Sequence, residues 1–240
     1  MFKFIQILSV SLLLLTAALP TALASEKNPN ATEVQVSGSY HEEVSPDIAY
    51  INLGTITEAE TVAAAQAQNA DVSARVRQKL ASLGIKAEYI KTANYAVTPI
   101  YKNEDNGRRT QTIKGYQITN SILVTTSPDK AGEVIDTALS AGANQVNHIR
   151  FGKKDETSVR NTALAQAVRD ALSKADAIAT ALNKQVVRVK TINENGVTFH
   201  SPEVATRLYS KGIADNLAAT PISAGMVELS ANVQVIVELE

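Results

Sequence analysis

The chain of 240 residues contains no cysteine and no tryptophan. Without cysteine there is no disulfide framework, no thiol nucleophile and no thiolate metal site. A lipoprotein anchor is excluded too, because it needs a cysteine at the cleavage point. Aromatic residues make up only 5% of the chain and are scattered along it. That argues against an outer-membrane barrel, which needs aromatic girdles and repeated amphipathic strands. No charge sign dominates: 23 Lys plus Arg stand against 24 Asp plus Glu, interspersed and not in blocks. Nothing in that balance points to nucleic acid or to an anionic membrane surface. With only two methionines, the side chains offer little to direct redox chemistry.

The one long apolar run lies at the start. Lys3 gives a short positive region, Ile5–Leu19 an apolar stretch diluted by Gln6, Ser9, Ser11 and Thr16, and Pro20 a break. Ala22-Leu23-Ala24 then supplies small residues at the −3 and −1 positions of a signal-peptidase site. As a membrane span the segment is too short and too polar, since spanning needs about 20 mostly apolar residues. We therefore expect residues 1–24 to be a cleaved signal peptide and the exported protein to start at Ser25. Residues 25–240 are long enough to bury a core without staples. They suit one α+β domain or two sub-domains divided near 127–145.

Hydrophobic periodicity predicts the elements. Residues 34–40 and 46–57 read as β-branched strands separated by His41-Glu42-Glu43 and Pro46. Asp47, after that proline, suits a side-chain bond to backbone two residues on. Thr57-Glu58-Ala59-Glu60 fits a capping box for a helix that runs to Leu83 and stops at Gly84. Its stripe is Val62, Ala65, Val72, Val76, Leu80 and Leu83. Strands follow at 86–101 and 111–126, joined at an Asn106-Gly107 hairpin turn. Ser127-Pro128-Asp129 opens a short helix ended by Gly142. After a strand at 145–152 comes the longest helix, 156–182, with Leu164, Val168, Ala171, Ala175, Ile178 and Leu182 on one stripe. Strands at 185–193 and 229–239 complete the order, the last alternating without a break. The expected class is α+β: three main helices packed on a largely antiparallel sheet. Strand–helix–strand units at 46–100 and 145–193 echo each other, as a duplication would.

The stretch 195–224 breaks the pattern, with turn formers at Gly196, Pro202, Gly212 and Pro221. Irregular connections of this length are uncommon in compact domains. Its apolar residues Phe199, Leu208, Tyr209, Ile213 and Leu217 exceed what disorder favours. It reads as a surface excursion, as a segment ordered by a partner or ligand, or as an extra helix over 203–218. Those five residues are the candidate interface.

Several short motifs recur in an order that resembles the SIMPL-domain family, a former domain of unknown function. Its bacterial members include periplasmic immunogenic and oxidative-stress-defence proteins. The motifs are Val34-x-Val36-x-Gly38, Pro46-Asp47-x-Ala49, Gly115-Tyr116, Gly142-Ala143-Asn144 and Phe151. Ala163, Ala167, Ala171 and Ala175 on the long helix follow, then Thr220-Pro221-Ile222-x-x-Gly225. The resemblance covers nearly all of residues 25–240. It implies an α+β fold, a periplasmic location and, in some relatives, ring-like or channel-like homo-oligomers. It implies no catalytic residue.

Catalytic chemistry has few handles. Ser37, Ser39, His41 and Asp47 are the residue types of a triad, but no G-x-S-x-G elbow accompanies them. His41-Glu42-Glu43 and His200-x-x-Glu203 each offer two metal ligands where a stable site wants three or four, and His148 joins only if the fold brings it close. Arg108-Arg109 reads as a solvated turn. There is no P-loop or dinucleotide fingerprint. We therefore assign no catalytic, cofactor or metal residues. The leading expectation, as the resemblance implies, is a non-enzymatic periplasmic homo-oligomer that supports envelope homeostasis or stress defence. A small-molecule or peptide binding module, using the groove between helices and sheet, is the alternative. An envelope hydrolase is third.

Overall fold

Alternation in sequence becomes alternation in burial along the first and last long strands. The structure is a computed structural model and describes residues 32–103, 109–201, 203–204, 208–209 and 221–240. Residues 1–24 and the Asn106-Gly107 turn lie outside the described residues. In chain order the elements are β1 (Thr32–Val44), β2 (Ile48–Ala59), α1 (Val62–Ser82), β3 (Ile90–Asn103), β4 (Arg109–Thr126), α2 (Ala131–Ser140) and β5 (Gln145–Gly152). Then come α3 (Glu156–Ala181), β6 (Val186–His200), the two-residue strands β7 (Glu203–Val204) and β8 (Leu208–Tyr209), and β9 (Val227–Leu239). The class is α+β, as expected.

The strands form two sheets. One has the order β3-β4-β2-β5-β7, with β8 also on β5; the other has the order β1-β9-β6. Every pairing is antiparallel. Helices α1 and α2 bury Val76, Leu80, Val134, Ile135 and Ala138 against Ile51, Leu53, Val124, Ile149 and Phe151 of the larger sheet. Helix α3 covers the smaller sheet, where Leu229, Val233, Val235, Val237 and Leu239 of β9 are buried. A fully buried Val or Leu contributes about 1.5–3 kcal/mol, so β9 is the main apolar strand of that layer. The two strand–helix–strand units echo each other only in element order. β2–α1–β3 returns to the same sheet with β4 between its strands, whereas β5–α3–β6 crosses from one sheet to the other.

Four local expectations change. His41-Glu42-Glu43 do not interrupt a strand: they lie within β1, opposite Ser230, Leu229 and Glu228. Thr57 is not a helix cap, because β2 continues to Ala59 through pairing with β4. Thr61 caps α1 instead, its hydroxyl accepting from the Ala64 N–H at 3.2 Å, while the Thr57 hydroxyl donates to the Ala65 carbonyl. On α3 the buried stripe is Ala163, Ala167, Ala171, Ala175 and Ala179; Ile178 and Leu182 are exposed. Finally, Asn195–His200 belong to β6: the ladder shifts register between Glu194 and Val197 and then continues against β9 up to His200–Glu228.

The alanine stripe has a steric cause. A Cβ on Gly38 of β1 would stand 2.0 Å from the Ala167 carbonyl oxygen and 2.7 Å from the Ala171 Cβ. Helix and strand backbones thus meet with no side chain between them. Beside this contact the Ser39 N–H donates to Asp170 at 2.8 Å and the Lys174 ammonium donates to the Ser37 carbonyl at 3.0 Å. Side chains of α3 therefore satisfy backbone groups of β1, whose one strand partner among the described residues is β9, and the helix covers that edge. Gly38→Ala is expected to cost about 1–3 kcal/mol by overpacking, read as a shift in the urea midpoint. Gly152→Ala, whose methyl would meet its neighbours at 3.7–3.8 Å, is expected to stay near wild type.

Candidate functional site

Besides the step from β6 to β7, the chain passes between the two sheets at Ser45-Pro46-Asp47, at Lys153-Lys154-Asp155 and through the segment that ends at Met226. Pro46 cannot donate to a ladder, which suits a residue between strands. The Asp47 N–H donates to the Gly152 carbonyl at 3.0 Å. Its carboxylate accepts from the Lys154 N–H at 2.7 Å and pairs with the Lys153 ammonium at 2.9 Å. Lys153 also donates to the Ser45 carbonyl, and the Ser45 hydroxyl donates to the Met226 sulfur at 3.7 Å. The backbone partner of Asp47 is thus not two residues on but 107 residues away. These three crossings are thereby tied into one joint.

A second device sets the register of the larger sheet. The side-chain amide of Asn144 accepts from the Ile56 N–H at 2.9 Å and donates to the Ile56 carbonyl at 2.8 Å. It replaces a peptide group just before β5 begins. Gly142, at φ +111°, makes the turn that delivers it. Behind this lies a buried polar cluster: Asn69 donates to the Thr55 carbonyl and accepts from Ser73 and Asn120. Asn69 is 1% exposed, a polar residue within a face on which periodicity places only apolar ones.

Beyond the joint, a cleft of about 360 Å³ is lined by Arg150, Phe199, His200 and Ser201. The Arg150 guanidinium stacks 4.4 Å over the Tyr50 ring, and Glu203 stands opposite Arg150 in the β5–β7 register. Arg160 lies 5.1 Å over the Phe199 ring and is held by the Val197 carbonyl and Glu156. A guanidinium, an imidazole and a hydroxyl in one cleft suit a small anion.

The other sequence candidates are placed as follows. Ser37, Ser39 and His41 share one face of β1 by alternation, and the Asp47 carboxylate is engaged with Lys153 and Lys154. No hydrogen bond joins His41 to Ser37, Ser39 or Asp47 among the described residues. β9 separates His41 on β1 from His200 on β6, and His148 lies on the other sheet. Among the described residues no group of three or more metal-ligating side chains converges. Of the candidate interface, Phe199 packs against the smaller sheet's core, and Leu208 and Tyr209 form β8 against Val146 and Gln145. Ile213, Leu217 and Arg108 lie outside the described residues.

Burial works against the charge of Asp47, yet Lys153 and the Lys154 N–H outweigh it and hold the carboxyl below its ordinary value. A depressed folded pKa contributes stability above the unfolded value of about 3.9. That contribution is lost as pH falls through the folded pKa. Asp170 is lowered likewise, by Lys174 and the Ser39 N–H. Asp47→Asn is therefore expected to flatten the acid limb to some extent below about pH 4 in thermal unfolding. Asn144→Ala, which strands both backbone groups of Ile56, is expected to cost about 1–3 kcal/mol near neutral pH.

The chain is similar in sequence to known proteins over most of its length. The chain is 26% identical to the 26 kDa periplasmic immunogenic protein of Brucella melitensis, over 97% of this chain and 96% of that protein. It is 24% identical to the uncharacterized protein YggE of Edwardsiella ictaluri, over 88% of each. With YggE of Escherichia coli K12 it shares 23% identity over 92% of this chain and 89% of that one. The profile of the SIMPL family, described as a protein of unknown function (DUF541), matches residues 34–237, from the β1 motif that meets α3 into the last stretch of β9. The chain belongs to the SIMPL family.

Proposed function

We propose that this is a non-enzymatic periplasmic protein that assembles with copies of itself and supports envelope homeostasis or stress defence. The periplasmic name of the Brucella relative and the signal-like residues 1–24 support the location. One observation carries the assembly reading. The β3–β4 hairpin extends beyond the cover of α1, and Tyr95, Val97, Tyr101 and Ile113 on it are 40–48% exposed. Tyr101 stands opposite Ile113, and alternation puts Tyr95 and Val97 on the same face. A contiguous exposed apolar face of this kind marks an interaction surface. Its side chains, more than its edge, make the contact, because Pro99 has no N–H to donate and three register shifts interrupt the strand. Leu208, Tyr209, Ile213 and Leu217 remain a proposed second contact.

The test is the native mass of the purified protein by size exclusion with light scattering at several concentrations. A discrete, concentration-stable oligomer is expected. Val97→Lys with Tyr101→Lys is expected to disperse it while leaving the circular dichroism spectrum unchanged. A monomer at all concentrations overturns the reading. Deletion of 205–219, which leaves Val197 and Phe199 in the smaller sheet's core, tests the second contact and is expected to lower the native mass.

The cleft at Arg150, His200 and Ser201 favours one alternative, a binding module for a small anion. The groove between helices and sheet does not, because the space beneath α1 is closed by Leu53, Val76, Ile122 and the buried polar cluster. Thermal-shift screening with carboxylates and phosphates separates the readings: a ligand at one hundred times its Kd adds about 2.7 kcal/mol of stability.

A further inference from the structure

The chain's two methionines are Met1 and Met226, and it has no cysteine. Met226 is therefore the sole sulfur of residues 25–240. It is 42% exposed, open to small solutes. Its position is nonetheless fixed. Gly225, at φ +61°, precedes it, and fully buried Val227 opens β9 after it. Ile222 and Ala224 anchor the approach on the larger sheet's core. Its sulfur accepts from the Ser45 hydroxyl at 3.7 Å, and the Ser45 carbonyl in turn accepts from Lys153, which pairs with Asp47. The one oxidisable sulfur thus sits on the contact that ties the β9 crossing to the other two.

We propose that Met226 is a modification site, converted to the sulfoxide by hydroperoxides, and that the conversion loosens the joint between the two sheets. A sulfur lone pair attacks one peroxide oxygen. The S–O bond forms as the O–O bond breaks, sulfur gives up two electrons, and the remaining oxygen leaves as water (or, from an organic hydroperoxide, as the alcohol) after taking a proton. The product is polar where the thioether is apolar, and its acceptor strength moves from sulfur to oxygen. An oxygen placed toward Ser45 crowds a hydroxyl already in contact. An oxygen placed away from it draws the hydroxyl off the sulfur. Either geometry ends the present Ser45 contact and disturbs the carbonyl that holds Lys153.

The experiment exposes the purified protein to hydrogen peroxide and follows intact mass, peptide maps, thermal midpoint and amide exchange. Met226→Leu and Ser45→Ala are treated in parallel. The expected result is one added oxygen on the Met226 peptide. The midpoint should then fall by about 2–4 °C, with faster exchange at 44–48 and 221–227. Met226→Leu shows no change in midpoint or exchange, and Ser45→Ala is oxidised with a smaller shift than wild type. Met226 left intact under peroxide that fully converts free methionine overturns the proposal. So does a fully oxidised protein with unchanged midpoint and exchange, or an undiminished shift in Ser45→Ala.

Discussion

At Gly38, helix α3 and strand β1 leave room for a hydrogen atom and nothing larger, and much of the smaller layer follows from that spacing. It requires alanine at every fourth position of α3 from Ala163 to Ala179, since a larger side chain would lift the helix off the sheet. It lets Asp170 and Lys174 reach the backbone of β1 on the side away from β9. It also explains why an alanine-rich face, poor in apolar area per residue, can hold a helix of 26 residues. Close backbone approach gives dense packing where side-chain bulk is absent. The partner face supplies the bulk instead, through the valines and leucines of β9.

The joint around Asp47 is a different kind of constraint. The two sheets do not share strands, so their relation rests on chain crossings and on polar contacts between them. Exposed ion pairs individually contribute little. Here the Asp47 carboxylate combines a charge-assisted bond to a backbone N–H with the Lys153 pair, and the carbonyl of Ser45 completes the set. The value of that arrangement is geometric: it fixes where β2 starts relative to where α3 starts.

Much of this is legible in the residues. β5 and the body of α3 fall where periodicity puts them, and Gly84 and Gly142 adopt positive φ at helix ends. The unbroken alternation of β9 reads directly as one buried face. What escapes has a common cause, namely dependence on partners distant in sequence. His41–Glu43 look like a polar break until β9 pairs with them, and Thr57 looks like a cap until β4 claims it. Asn144 enters only as part of a short motif, and its role appears once it is seen bonding Ile56, 88 residues away. Periodicity misplaces the stripe on α3 because it ranks leucine and isoleucine above alanine, and only the proximity of Gly38 reverses that order. The site is less legible than the fold, since no motif gathers its residues: Arg150 on β5 and Phe199 and His200 on β6 come from different sheets, and only the folded chain brings them to one cleft.

The pairing of β1 with β9 has a consequence for how the chain acquires its shape. Strands β2 to β5 and helices α1 and α2 occupy one continuous stretch, and their layer can close, but for the two-residue strands β7 and β8, while the remainder of the chain is still being delivered. The smaller layer has no such freedom, because Thr32 pairs with Leu239 and Val44 with Val227. Its central strand is the last to arrive, and α3 has no completed sheet to cover until then. Such long loop closures are slow steps. In a chain made from its N-terminus, β1 waits unpaired until β9 (Val227–Leu239) is delivered, and closure of the smaller layer is timed by that strand.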